Sequence, residues 1–179
     1  ALGFAVPEHV GERSAPGGAK GDGGRVGERR GNNDAFVSGP VLASVSGTVK
    51  DVTLRMTTPG TFENCVVVEN DGLYEKAPEW QPLPDYENID PKEYLKRIRA
   101  AGIVRFGGAT FPTAVTLSPP PDQKIQSLSV NGVECEPYLN CDNRILLDTP
   151  DEVYNGLRLL PPLCPDAPAV IPIWNTQRP

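Results

Sequence analysis

The chain has 179 residues, a formal net charge of −6 and a pI near 4.8, with 18 Gly and 20 Pro. That length suits one medium domain or two small ones with a real core, and the Gly and Pro content implies many turns and short elements. The acidic balance, with basic residues clustered only at Arg25, Arg29 and Arg30, does not suit a nucleic-acid binder, and no apolar run approaches the ~20 residues that span a bilayer.

Residues 1 to 34 are rich in turn chemistry, at Pro16-Gly17-Gly18, Gly21-Asp22-Gly23-Gly24 and Gly31-Asn32-Asn33-Asp34. They predict loops with one or two short edge strands. Ala1 to Pro7 lacks a basic segment followed by a long apolar one, so no signal peptide is expected. From Ala35 to Met56 the pattern becomes strand-like. Ala43-Ser44-Val45-Ser46 and Thr48-Val49-Lys50 alternate with period two around a bend at Gly47. Cys65 to Glu69, with three consecutive valines, is a further strand, and Asn70-Asp71-Gly72 supplies a turn.

Pro78, Pro82 and Pro84 mark a linker between two domains. The predicted division is 1–75, 76–89 and 90–179. A helix then starts at Asp90 as cap, Pro91 in the first turn and Glu93 completing a capping box. Tyr94, Leu95, Ile98 and Ala101 share one face, and Gly102 ends it. Ile125 to Val130 predicts a strand that must turn at Asn131-Gly132. Thr149, Pro150 and Glu152 open a second helix with an apolar stripe of Val153, Leu157 and Leu160. Ala169 to Trp174 predicts a last strand, demoted toward an edge by Pro172. Strand, helix, strand begins a parallel α/β unit.

Two segments carry candidate chemistry. In Gly107-Gly108-Ala109-Thr110-Phe111-Pro112-Thr113 the adjacent glycines let a flat or anionic ligand approach the backbone, whose N–H groups suit phosphate. A structural turn explains the same glycines, and the G-x-G-x-x-G spacing of the common dinucleotide fingerprint is absent. In Asn131-Gly132-Val133-Glu134-Cys135-Glu136-Pro137 a strand end presents an amide and two carboxylates. Ligands of open α/β sheets bind at such ends, and these groups suit an isoalloxazine edge, a ribose or a nicotinamide amide. Solvated loop carboxylates are the plainer account. Cys65, Cys135, Cys141 and Cys164 contain no CxxC, so a metal or cluster site is not supported and free thiols are expected; Cys135 and Cys141 are close enough in sequence to be neighbours. The single histidine, His9, permits no catalytic triad and is expected to be structural, and Trp80 and Trp174 are expected to pack.

The stretch from Ala101 to Thr113, followed by Val130 to Asp142, resembles the C subunit of the Rnf ion-translocating electron-transport complex, and more distantly the flavin-binding subunit of respiratory complex I. Phe36 to Val49 resembles the same family's barrel-sandwich hybrid domain, a relative of lipoyl domains. The blocks occur in the family's order. The resemblance implies an all-β barrel-sandwich hybrid over 1–75, then the start of a Rossmann-like α/β domain for FMN and NADH. It implies backbone contacts to FMN at Gly107, Gly108 and Ala109, with Thr110 in the same loop. Phe111 matches a position whose ring flanks NADH, Asn131 and Glu134 match contacts to flavin or nicotinamide, and Glu136 matches another acidic residue of the pocket.

The reaction implied is hydride transfer from NADH to FMN, with electrons passed singly to iron–sulfur centres. The [4Fe–4S] clusters are expected only in a carboxyl-terminal part this chain lacks; a fragment, an incomplete gene product and an imperfectly assigned sequence all stay open, and the isolated chain is expected to be inactive. Implied partners are other subunits of a membrane complex, through which the protein sits peripherally on the cytoplasmic face of a bacterial membrane without inserting. The family usually carries Gly at the place of Arg105, often His at Ala114 and usually Lys at Thr116. These departures remove one loop glycine and one phosphate-side cation, which Arg105 partly replaces. Competing readings are a non-catalytic docking module and a microcompartment cobalamin reductase of similar domain order. No lysine at a hairpin tip marks a lipoyl-type carrier.

Overall fold

The computed structural model describes the chain except for Glu8, Val10, residues 82–87, residues 106–109, Pro121, Cys135, Pro161, Pro162, Pro165 and residues 174–179. It separates into two compact units. The first holds Ala1–Pro84 and Lys92–Pro119; the second holds Asp85–Pro91 and Pro120–Pro179.

The first unit is built on one long hairpin. Strands β6 (Gly47–Met56) and β7 (Phe62–Asn70) pair antiparallel from Gly47↔Asn70 to Met56↔Phe62, with a bulge between Val49 and Asp51. Strand β1 (Leu2–Ala5) adds to β7, and β3 (Gly23–Gly24) adds to β6, giving the sheet order β1-β7-β6-β3. A second sheet orders β2 (Ala15–Pro16), β4 (Arg29–Asn32) and β5 (Val41–Leu42). Phe4, Val6, Val49, Val66 and Val68 meet Val41, Ala43 and Val45 in one buried cluster, so the two sheets share a core. β-branched residues suit this pleated, two-sided burial, and each buried valine is worth about 1.5–3 kcal/mol over leaving it exposed.

The first 34 residues therefore hold four short strands, more than the one or two expected, and two segments expected to be turns, Gly23-Gly24 and Gly31-Asn32, lie in strands. Gly47 is not a bend between two strands. It opens β6 at φ +144, and a Cβ there would lie 2.0 Å from the Glu69 carbonyl oxygen. Ala43–Ser46 lies outside any strand. The 70–72 turn forms as its sequence predicts. Asn70 Oδ1 accepts from the Gly72 N–H at 2.8 Å. Asp71 Oδ1 accepts from the Leu73 N–H at 2.9 Å and from the Ser46 hydroxyl at 2.6 Å. The Ser46 bond, then the Leu73 N–H, hold the Asp71 carboxyl below the usual carboxylate range. Beyond it Val26 makes a parallel bridge to Lys76, and Ala77 is buried.

Helix α1 (Pro91–Ala100) buries Tyr94 and Ile98. Gly102, at φ +65, stops it: its N–H donates to the Arg99 carbonyl at 3.0 Å and the Ile103 N–H donates to the Ile98 carbonyl at 3.4 Å, a Schellman closure. Arg99 fastens the helix to the loop after β4. Its Nη2 donates to the carbonyls of Asn33 and Ala35 and, at 2.8 Å, to Ser38 Oγ. His9 has a structural place, with Nε2 2.6 Å from the Gly39 carbonyl oxygen and 3.1 Å from the Gly39 nitrogen. Trp80 lies over Gly27, where a Cβ would meet the indole at 1.9 Å; Trp174 is outside the described residues.

In the second unit, β8 (Leu128–Ser129) and β9 (Ala169–Val170) pair in parallel. Between them run α3 (Cys141–Asp148) and α4 (Pro150–Arg158). A parallel connection through helices is the unit the sequence predicts, although α3 is an addition to it. The capping expectation for α4 is corrected. Thr149 and Pro150 stand where expected, but the Thr149 hydroxyl donates back to the Ile145 carbonyl at 3.1 Å and makes no side-chain cap. Among the described residues Cys65, Cys141 and Cys164 are in no disulfide. Among the described residues no helix is long and apolar enough to cross a membrane.

Candidate functional site

The first candidate segment is closed at its base like a short hairpin. Val104 bridges antiparallel to Pro112. The Arg105 N–H donates to the Phe111 carbonyl at 2.9 Å, and the Thr113 N–H donates to the Ile103 carbonyl at 3.0 Å. Gly107, Gly108 and Ala109, expected as cofactor contacts, lie outside the described residues. Thr110 adopts φ +44, a left-handed conformation uncommon for threonine. Phe111 is half-buried, and the exposed Arg105 sets its guanidinium 5.0 Å from the ring centroid, within the range of a cation–π contact. Pro112, which has no N–H to leave unpaired, is buried and leads into the single turn of α2 (Thr113–Thr116), where Ala114 is buried.

The second segment follows β8. Asn131 is exposed, and its Oδ1 accepts from the Val133 N–H at 3.1 Å, leaving its amide NH₂ as the donor it offers outward. The expected turn at Asn131-Gly132 does not end the pairing: the Gly132 N–H donates to the Pro172 carbonyl at 3.0 Å, continuing the ladder beyond β8. A Cβ on Gly132 would lie 3.1 Å from Leu146 Cδ1 and 3.2 Å from the Pro172 oxygen, so its missing side chain lets the strand end approach α3. Glu134 is half-buried, and its Oε1 accepts from the Asp142 N–H at 3.1 Å, at the start of α3. The Cys141 thiol bonds to the same carboxylate, which above all else raises the thiol's pKa. Glu136 is exposed, and its carbonyl accepts from the Leu139 N–H at 3.3 Å.

Thr110 and Phe111 belong to the first unit, whereas Asn131, Glu134 and Glu136 belong to the second. Within the units Phe111 lies against Arg105, and Glu134 against Cys141 and Asp142, partners that are not among the expected site residues. Sequence reasoning missed the Cys141–Asp142 role. The available signal was the polar opening of α3, Asn140-Cys141-Asp142-Asn143, ahead of Ile145-Leu146-Leu147. Two concavities lie away from these residues. One of about 260 Å³ is lined by Phe36, Leu95, Arg99 and Val115, and one of about 420 Å³ by Gly24, Glu28, Asp71 and Glu75.

Comparison with known proteins matches two successive stretches of the chain. Residues 1–73 match the RnfC barrel-sandwich hybrid domain, and residues 98–177 match the Nuo51 FMN-binding domain. The chain thus falls in the class of proteins that carry a barrel-sandwich hybrid domain ahead of an FMN-binding domain. Within that class it belongs to the RnfC family. It is 42% identical over 151 residues to the C subunit of the Na(+)-translocating ferredoxin:NAD(+) oxidoreductase complex of Acetobacterium woodii, covering 84% of this chain and 34% of that one. It is 41% identical over 157 residues to the C subunit of the proton-translocating ferredoxin:NAD(+) oxidoreductase complex of Clostridium ljungdahlii, covering 87% and 34%. To the C subunit of the ion-translocating oxidoreductase complex of Pseudomonas aeruginosa it is 36% identical over 168 residues, covering 91% and 22%. The chain therefore spans about a third or less of the length of these relatives.

Proposed function

We propose that this chain forms the flavin-site part of an electron-transport protein that takes hydride from NADH onto FMN and passes electrons to iron–sulfur centres, coupled to ion translocation within a larger complex. The observation that carries the reading is the succession of the two domain matches, 1–73 then 98–177, along one chain. The relatives' names extend it to an assembly of several subunits. In this reading 1–75 is the barrel-sandwich domain, 76–89 the linker and 90–179 part of a Rossmann-like domain for FMN and NADH. The iron–sulfur centres belong to regions outside these residues. The protein sits peripherally on the cytoplasmic face of the membrane through its partners.

The residues fit an anionic planar cofactor. Arg105 makes no ion pair among the described residues and precedes Gly107-Gly108-Ala109 closely in the sequence, and a phosphate needs a cation. Phe111 offers a ring for stacking, Asn131 an outward amide, and Glu134 and Glu136 carboxylates. When bound, FMN supplies the capacity to accept a hydride and release electrons one at a time. The chain's own part is to bind and orient: Gly107, Gly108 and Ala109 as backbone contacts to FMN, Phe111 beside NADH, and Asn131 and Glu134 as contacts to flavin or nicotinamide.

Binding is measured by the change in flavin absorbance as FMN is added to the purified chain. Saturable binding is expected, and Gly108→Asp, which adds both bulk and a negative charge beside the phosphate, is expected to weaken it by at least about tenfold, ~1.4 kcal/mol. Absence of binding at millimolar FMN sinks the reading. It favours the second one, a docking module without redox chemistry. That alternative has its own support: Leu54, Met56 and Phe62 are 59%, 69% and 67% exposed toward the end of the β6–β7 hairpin, and Met56 pairs directly with Phe62.

A further inference from the structure

We propose that the groove between α1, α2 and the loop after β4 is an anchor site for an acidic segment of a partner protein, which seats one apolar side chain beside Phe36 and a carboxylate on Arg99 and Lys96. The concavity, of about 260 Å³, has Phe36, Leu95, Ala114 and Val115 as its apolar wall, and Lys96 and Arg99 as its charged groups. All of these residues belong to the first unit. Ser118 also borders the groove, but its hydroxyl donates to the Ala114 carbonyl at 2.7 Å, so polar recognition falls to the two cations.

Phe36 is 65% exposed, yet the backbone on either side of it is fixed. The Ala35 N–H donates to Asn33 Oδ1 at 2.6 Å, and Ser38 Oγ lies 2.8 and 2.7 Å from the carbonyl oxygens of Asn33 and Ala35. The Val37 carbonyl accepts from the Glu12 N–H at 3.0 Å. An aromatic ring presented to solvent on a held backbone loses little freedom on binding, which suits it to anchor a partner. Arg99 gives Nη2 to neutral acceptors only, the carbonyls of Asn33 and Ala35 and the Ser38 hydroxyl, and forms no ion pair among the described residues. A carboxylate in the groove supplies the counter-charge through charge-assisted hydrogen bonds. Lys96 shares Glu93 with Arg97, at 3.8 Å against 3.1 Å, so it too has charge to offer. Helix α1 carries Lys92, Lys96, Arg97 and Arg99 against Glu93 alone, in a chain of net charge −6. This local reversal of sign draws acidic surfaces and turns basic ones away. The groove is smaller than the roughly 300–1,000 Å³ that encloses a small-molecule ligand. It holds one side chain, and a protein segment makes its remaining contacts outside.

The test titrates a blocked peptide of alternating leucine and glutamate into the isotope-labelled full chain and follows the backbone amides by NMR. Counterparts with lysine in place of glutamate, or serine in place of leucine, are run beside it, as is decanoate. Saturable shifts at the Phe36, Leu95 and Val115 amides are expected with the leucine–glutamate peptide, and several-fold weaker binding with either counterpart. Phe36→Ser and Lys96→Glu, both at exposed positions, are each expected to weaken binding several-fold while the β6 and β7 amides stay in place as the sign of an intact fold. Raising the salt from about 0.05 to 0.3 M is expected to weaken it as well. Equal binding of the lysine peptide overturns the proposal, and so does binding that neither variant changes. Saturation of the same amides by decanoate, with no response to the peptide, overturns it in favour of a free apolar acid. Silence with every probe overturns it outright. No step here uses FMN, so a failed peptide titration and a failed FMN titration refute different statements.

Discussion

Glu134 carries two hydrogen bonds of different origin on one carboxylate. One comes from the Asp142 N–H, one of the orphan donors at the start of α3, and one from the Cys141 thiol. The thiol bond persists only while sulfur keeps its proton. Loss of that bond on ionisation is the main reason the Cys141 pKa is raised, and the Asp142 and Glu134 charges a thiolate would face add to it. Since alkylation proceeds through the thiolate, raising the pKa suppresses reaction at neutral pH although Cys141 is exposed. Replacing Glu134 by Gln keeps an acceptor and removes a charge. The pKa should then fall, and the rate at pH 7 to 8 should rise several-fold. Iodoacetamide labelling followed at Cys141 by mass spectrometry across pH checks this, with the buried Cys65 and Cys164 remaining slow as the sign of an intact fold. A pH profile identical to the parent's would refute it. The residue scale also shows what single letters withhold. Gly132 and Gly24 both look like turn residues in the sequence. Gly132 is instead a point of close packing, and Gly24 sits where a Cβ would collide with the Arg30 guanidinium. Each depends on a neighbour remote in the chain or brought close by pairing, which no local pattern encodes.

Elements are legible in proportion to how much of their stability is local. Helix α1 has its periodicity, its N-terminal Pro91 and its terminal Gly102 within a dozen residues, and its extent follows from them. The alternation at Thr48–Lys50 and the valines of Cys65–Glu69 mark parts of β6 and β7, but not their pairing across the tip at Thr57 to Thr61, where Gly60 takes φ +82. Strands β1 to β4 are two to four residues long and exist because β6, β7 and β5 offer them edges. Their ladder bonds are non-local, so the glycine-heavy sequence of 1–34 reads as loop. Helix α3 buries none of its residues and gives no amphipathic signal. At this scale the Gly102 closure yields a sharp expectation. Its φ is +65 and a Cβ there would lie 2.9 Å from the Pro40 carbonyl oxygen. Gly102→Ala should destabilise the first unit by about 1–2 kcal/mol, through left-handed strain and the clash together. Urea denaturation followed by far-UV circular dichroism reads the shift in midpoint, and no shift would mean the Schellman closure contributes nothing.

For the whole molecule, the two family matches run 1–73 and 98–177, whereas the compact units divide differently: Lys92–Pro119 packs with the amino-terminal sheets. The loop expected to face a flavin therefore grows from the unit that carries the barrel-sandwich core, and the acidic strand end grows from the other. The sequence shows the two candidate segments and their order but not this partition. The partition is made by Arg99 reaching the carbonyls of Asn33 and Ala35 and the hydroxyl of Ser38, and by Gly102 seated against Pro40 and Leu42. Hydrogen bonds to a charged donor contribute about 1.5–3 kcal/mol each at most in net terms, and burying Tyr94 and Ile98 adds about as much again, so α1 should matter to the stability of the sheets it clasps. A piece comprising residues 1–119 is expected to unfold cooperatively in urea. A piece comprising residues 1–75 keeps every strand of both sheets but loses the clasp, and its midpoint should be lower by an amount equivalent to about 2–4 kcal/mol. Arg99→Met in the longer piece should reproduce part of that loss without removing the helix. Equal midpoints for the two pieces would show that the barrel-sandwich core stands alone and that α1 only rests on it.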